Sequence, residues 1–303
     1  LEAYLGAEPG HSGEESAALT MQLACIRSLN GDAQGAARAA SEAAAQDAKS
    51  ARLQQLSYRF SLEAGDAQGA ANALGAYAEL VQDDTLYEAI ADLYLEAGNY
   101  EESGRFYDLA IGTSGANDRL LYMRGTCNML LGRYAEAVED FAASAMPGSV
   151  YSHGVCAMAL GDFEQAETCF AEAMERGEQE NDARMMLAVC RLEGGAYAEA
   201  EELLDQYMAA GGNYADIAYY RANARAMQKN YAGAAGDYAS AAEAGQFRQE
   251  SLFAAAQCYY FAGDYAQAIE WFEQCVEEEI DLAQSWYYLG LSEGPKNAKK
   301  IDT

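Results

Sequence analysis

The chain has 303 residues, 51% of them hydrophobic, enough to bury one large core or two smaller ones. Its 19 Lys and Arg against 48 Asp and Glu give a formal net charge of −29, which excludes a general nucleic-acid binder, because neutralising phosphates takes clustered cations. An aromatic content of 11%, with 22 Tyr, excludes a disordered acidic tail, and no apolar run approaches the ~18 residues of a membrane span.

The chain opens at Leu1, without Met and without a charged-then-apolar leader. Residues 1–16 are read as an N-terminal segment in which Leu1–Glu8 is either the remnant of an earlier helix or a loose terminus. After it the string Gly-x-aromatic-x-x-Ala recurs. Two weak copies come first, at Gly31-Asp32-Ala33 and Gly65-Asp66-Ala67. Fuller ones follow at Gly98–Tyr100, Gly132–Ala137, Gly161–Ala166, Gly195–Ala200, Asn230–Ala234 and Gly263–Ala268. Their third residues fall at 33, 67, 100, 134, 163, 197, 231 and 265, in steps of 34, 33, 34, 29, 34, 34 and 34. A fixed period of this length marks a stacked repeat, and the two helical patterns inside each period make its class all-α.

Each period predicts two helices around a tight turn. Residues 120–131 form an apolar helix stopped by Gly132. Residues 135–146 place Ala137, Val138, Phe141 and Ala145 on one face of a second helix, which Pro147 is expected to end. The turn Gly supplies a positive φ, the aromatic fills the space between the paired helices, and the small residue three positions on lets their backbones approach to roughly 8–10 Å. The single 29-residue step predicts a shortened connection around Pro147-Gly148 and a local change of path. Near the C-terminus Gln284–Ser292 begins a ninth first helix, and Gly294-Pro295 opens a polar tail, 294–303, that holds three of the five Lys.

Charge follows the repeat. Ten residues before the turn residue two units carry Arg, Arg124 and Arg221, and six after it only those two carry Asp, Asp140 and Asp237. Their joint presence predicts an ion pair between the two helices of a unit; two coincident surface charges are the bland alternative. The seven Cys are odd in number and have no CxxC, so they are expected to be free thiols of a reducing setting. A cytoplasmic location is favoured on that ground, and a secreted or lipid-anchored form stays open. His153 and Cys156 stand i, i+3 with Cys169 further on, but Cys127, Cys190 and Cys258 share the Cys156 position without any His, so the position asks for a small apolar residue and no metal is expected. The run Glu277-Glu278-Glu279 is read as charge at a helix end. There is no phosphate loop and no dinucleotide fingerprint, so no cofactor and no catalytic residue are assigned and the chain is not expected to be an enzyme.

The residues Trp286, Leu289 and Gly290, with Ala137 and Phe141, Ala166, Phe170 and Ala173, and Ala268 and Phe272, resemble the tetratricopeptide repeat family, whose pattern runs W-x2-L-G-x2-Y, A-x3-F, A, P over 34 residues. The resemblance covers residues 17–293. It implies a right-handed α-solenoid of about eight helix-turn-helix units plus a partial ninth. Departures are Ala33 and Ala67 in place of the turn aromatic, and Pro147 as the lone candidate for the closing Pro.

The same resemblance implies that first helices line an inner, concave groove. The positions twelve, eight and five before each turn residue then give the candidate binding residues: Tyr122, Thr126 and Met129; Tyr151, Val155 and Met158; Met185 and Val189; Tyr219 and Asn223; Phe253, Gln257 and Tyr260. Glu88 and Asp92 occupy the corresponding slots one unit earlier. This Tyr- and Met-rich strip suits a peptide with apolar anchors, and the acidic surround favours neutral to basic partners. Lys and Arg, which family members use to grip the carboxyl terminus of chaperones, are missing from these slots. Two classes of function follow: an interaction scaffold that binds a protein or peptide segment without bond chemistry, or an assembly module that stacks through open ends. An accessory role in holding a polysaccharide or lipid is a third.

Overall fold

A computed structural model describes residues 13–245 and 247–301. Leu1–Ser12, including His11 and most of the expected N-terminal segment, lie outside the described residues, as do Gln246, Asp302 and Thr303. The described backbone is an all-α helical repeat of 17 helices with no strand. It divides into two compact units, Leu1–Ser149 and Val150–Thr303, and the division falls at the 29-residue step.

The first unit holds four hairpins: α1 (Gly13–Leu29) with α2 (Ala33–Gln46), α3 (Ala51–Glu63) with α4 (Ala67–Val81), α5 (Tyr87–Glu96) with α6 (Tyr100–Ser114), and α7 (Asp118–Leu130) with α8 (Tyr134–Ala143). Four more follow: α9 (Ser149–Ala159) with α10 (Phe163–Arg176), α11 (Glu180–Glu193) with α12 (Tyr197–Ala209), α13 (Tyr214–Met227) with α14 (Tyr231–Glu243), and α15 (Arg248–Ala262) with α16 (Tyr265–Glu277). The last helix, α17 (Leu282–Ile301), begins a ninth pair and runs on as helix through Gly294-Pro295, where the polar tail was expected to start. From α1 to α8, and again from α10 to α17, each helix packs on the next in sequence.

The turn inside each hairpin is set by local chemistry. Gly31, Gly65, Gly98, Gly132, Gly161, Gly195 and Gly263 all have φ between +70° and +81°, the left-handed region open to Gly without steric cost. The seventh hairpin has Lys229 there, at φ +64°. The residue after the turn Gly then caps the second helix. Asp32, Asp66, Asn99, Asp162, Asn230 and Asp264 each accept a hydrogen bond from the backbone N–H three residues on. Arg133 and Ala196 make no such bond.

Close approach of the paired helices rests on the small residue of the repeat. Ala36, Ala70, Ser103, Ala137, Ala166, Ala200, Ala234 and Ala268 are each 0% exposed. Ser103, the lone hydroxyl of the set, donates to the Ala91 carbonyl at 2.8 Å. Four residues further on, the core is filled by Leu74, Tyr107, Phe141, Phe170, Leu204, Tyr238 and Phe272. The first hairpin, which lacks the turn aromatic, builds its core from Ala36, Ala37, Ala39, Ala40 and Ala43 against Met21 and Phe60.

One element departs from the reading. The second helix expected to run to Met146 stops at Ala143, ahead of Pro147. Ser144 is extended, at φ −102° and ψ 134°. It is held there by neighbours rather than by the proline: its Oγ donates to the Asp118 carbonyl at 2.8 Å, and the Ala145 N–H donates to the Asp118 carboxylate at 3.0 Å. The missing residues therefore come partly out of the helix, with α8 spanning 10 residues where the other second helices span 13 to 15.

Candidate functional site

Every candidate residue on the first helices is half-buried. The reason is a recurring aromatic pair: the ring twelve before the turn residue leans on the second-helix ring seven after it. In the first unit Tyr122 meets Phe141 edge-on at 5.5 Å, and the Thr126 hydroxyl turns back onto the Tyr122 carbonyl. In the second unit Tyr151 meets Phe170 at 5.6 Å, Tyr219 meets Tyr238 at 5.9 Å, and Phe253 meets Phe272 at 6.0 Å. Each ring is thus braced by its second-helix partner and only partly exposed, an arrangement with little rotamer freedom left to lose on binding.

Polar members of the strip are also tied. The buried Tyr238 hydroxyl donates to the Asn223 side-chain oxygen, and burial raises the pKa of that phenol. Burial, and behind it Asp182, raises the Tyr151 phenol. Phe247, between α14 and α15, covers part of Tyr219 at 4.4 Å between ring centres, a contact that no first-helix pattern announces. Val155 and Met158 pack beside the Phe170 cluster, Met185 beside Leu204 and Tyr207, and Tyr260 against Tyr288 at 5.3 Å. Glu88 and Asp92 are met by Arg119 of α7, with 2.8 Å to Asp92. Asp92 also accepts from the buried Tyr107 hydroxyl at 2.5 Å.

The expected ion pairs are present, and larger than the sequence reading made them. Arg124 grips Asp140 through Nε and Nη2 at 3.0 and 2.5 Å, and its Nη1 reaches Asp108 of the preceding second helix at 2.7 Å. Arg221 repeats this with Asp237 at 2.9 Å through both nitrogens and with Asp205 at 2.8 Å. These bonds, the Asp140 and Asp237 ones foremost, raise both guanidinium pKa values. Asp108 and Asp205 were missed, yet both stand eight residues after a turn residue, and no other unit has Asp there. The slot comparison that found the pairs would have found them as well.

His153 stands 3.1 Å from the Gln165 amide, and burial lowers its pKa. Cys127, Cys156, Cys190 and Cys258 are all buried, as a small apolar slot requires. Among the described residues no three His, Cys, Asp or Glu side chains are grouped to hold a metal ion. Nor is any described helix long and apolar enough to cross a membrane. Glu278 of the acidic run takes Arg248 at 2.6 Å.

Family models described as tetratricopeptide repeat match residues 89–149, 151–215 and 249–279, just over half of the chain. No curated protein matches the sequence. Among solved structures the chain is similar to Pseudomonas aeruginosa pilF, at 16% identity over 68% of this chain and 96% of that one, TM-score 0.53. It is also similar to the C-terminal part of a TPR repeat-containing protein from Cytophaga hutchinsonii, at 13% identity over 73% and 93%, TM-score 0.52. A third is YrrB, a TPR protein with an unusual peptide-binding site, at 22% identity over 57% and 93%, TM-score 0.50. At these identities the likeness is one of fold.

Proposed function

Because the chain belongs to the tetratricopeptide repeat family, whose fold serves as a protein-interaction scaffold, we propose that the first-helix face of its second unit binds a peptide segment of a partner protein. The observation that carries this reading is the strip of half-open rings, Tyr151, Tyr219 and Phe253, each braced from behind by a second-helix aromatic. Rigid aromatic area with a hydroxyl handle costs little conformational entropy to engage. Met158 and Met185 add adaptable surface beside it. YrrB, with its peptide-binding site, shows that the same fold hosts such a use. The residues of the strip carry no charge, so affinity comes from apolar anchors, while the acidic surround draws neutral to basic flanks. Tyr122, Thr126 and Met129 form the corresponding set in the first unit.

A peptide array probed with the parent chain and with Tyr219→Ala and Tyr151→Ala variants tests this. Loss of the parent's selected peptides in both variants, with melting curves unchanged, is the expected result; an unaltered binding pattern overturns it. The second reading, assembly through an end, is favoured by one observation: on α17 Trp286 is 59% and Tyr287 62% exposed. Light scattering across a concentration series separates it, since end-stacking makes mass rise with concentration.

A further inference from the structure

Two apolar cavities on the first unit stand apart from the strip. One, of about 580 Å³, is walled by Met21, Cys25, Ile26 and Leu53 of α1 and α3 with Arg52 at its edge. The other, also about 580 Å³, is walled by Tyr58, Leu62, Leu74 and Tyr77 of α3 and α4, by Leu86 just before α5 and by Ala89 within it, with Arg59 at its edge. Leu56 is common to both, so they adjoin. Ile26 and Leu62 are each 45% exposed, so the walls of both cavities present apolar surface to solvent.

No carboxylate lines either cavity. Arg52 is exposed and no ion pair with a described residue engages it. Arg59 meets only Glu63, at 3.2 Å, with its own side chain 73% exposed. At physiological salt a docked group senses charges within about 8 Å, so at the first cavity Arg52 sets the preference, while Arg59 at the second shares its charge with Glu63.

We propose that this surface docks an apolar segment of a partner protein whose flanks carry carboxylates. Each cavity takes one apolar side chain, Leu56 is the wall between them, and the acidic flanks meet Arg52 and Arg59. The proposal rests on reading first-helix faces as binding surfaces and gives this one the opposite charge preference to the strip of the second unit.

Cys25 supplies the readout, since it lines the first cavity and is exposed while the six other thiols are buried. Its alkylation by N-ethylmaleimide, an uncharged reagent, is followed in the full chain at physiological ionic strength. Two synthetic amphipathic peptides serve as probes, one with a Leu face flanked by Glu, the other with Lys in place of Glu. The Glu peptide is expected to slow Cys25 alkylation about tenfold while its Lys counterpart leaves the rate alone. A variant with Arg52→Glu and Arg59→Glu, both at exposed positions and checked by an unchanged melting curve, is expected to reverse the order of the two peptides.

Equal protection by both peptides, protection by neither, or preference for Lys in the parent overturns the proposal. So does a Cys25 that is already slow to react in the free chain, which would mean the cavity is filled from within. Tyr219→Ala lies in the other unit and is expected to leave Cys25 protection unchanged. The strip and this surface therefore fail or stand separately.

Discussion

The two arginine networks solve one problem with different reserves. Around Arg124 a single guanidinium serves Asp140, whose side chain is 4% exposed, and Asp108 at the surface. Around Asp237 two guanidinia converge: Arg221 takes both oxygens, Arg225 reaches Oδ2 at 2.8 Å and passes on to Glu201 at 2.7 Å, and the Tyr214 hydroxyl donates at 2.5 Å. The slots in sequence are the same, so the difference comes from what surrounds them. A buried carboxylate with one cation is a paired charge, whereas one with two cations and a phenol is the hub on which three donors depend.

That comparison breaks first at the hub. Asp237→Ala removes the partner shared by Arg221, Arg225 and the Tyr214 hydroxyl, leaving the two guanidinia only Asp205 and Glu201. It is expected to cost about 3–5 kcal/mol, against a smaller loss for Asp140→Ala, where a single guanidinium is affected and keeps Asp108. Urea unfolding of the two variants checks this, and equal losses would mean that the second guanidinium adds nothing. Next comes coupling. Arg124→Leu alone is expected to destabilise more than the double variant with Asp140→Leu, because replacing both partners removes the uncompensated buried charge. A double-mutant cycle with a coupling of about 1–3 kcal/mol is the expected result, and zero coupling would reduce the pair to a surface coincidence.

A third expectation concerns alkali. In the second unit burial pushes the Cys156, Cys169, Cys190, Cys258 and Cys275 thiols up to about 11. Burial first, then the bond to Asp237, raises the Tyr214 phenol. Groups whose folded pKa is raised contribute stability that is complete below the unfolded value and is lost above it. The second unit should therefore loosen as pH climbs from about 9 through 11. Both Trp residues, Trp271 and Trp286, lie in that unit, so their fluorescence reports it; a flat signal to pH 11 contradicts the expectation. The smallest effect is at the turns beside the two networks. The first has Gly132 at φ +74°, the second Lys229 at φ +64°, and Lys229→Gly is expected to stabilise by about 1 kcal/mol in thermal melts.

Much of this was legible because a repeat makes each position comparable with seven others. The eight small residues at the helix contact, the left-handed turn glycines and the Arg–Asp pairs all follow from slots, and all lie where the slots put them. Arg225 with Glu201 repeats Arg191 with Glu167 at 2.9 Å one hairpin earlier, and the same comparison of slots would have found it. Tyr214 with Asp237 escaped, since that pair does not recur and nothing singles it out along one chain. The stop of α8 at Ala143 escaped for a related reason: Pro147 is visible, but the Asp118 groups that hold Ser144 lie 26 residues away. The cavities beside Leu56 escaped because their walls come from four helices and include no recurrent aromatic pair.

Sequence alone determined the helix count, the turn positions and which residues face the partner helix, because these depend on local backbone preferences and on a period that repeats. Tertiary structure decided which charges became shared and which rings were braced. It also decided which apolar side chains stayed open, because each of those outcomes depends on what a neighbouring hairpin brings within a few ångströms.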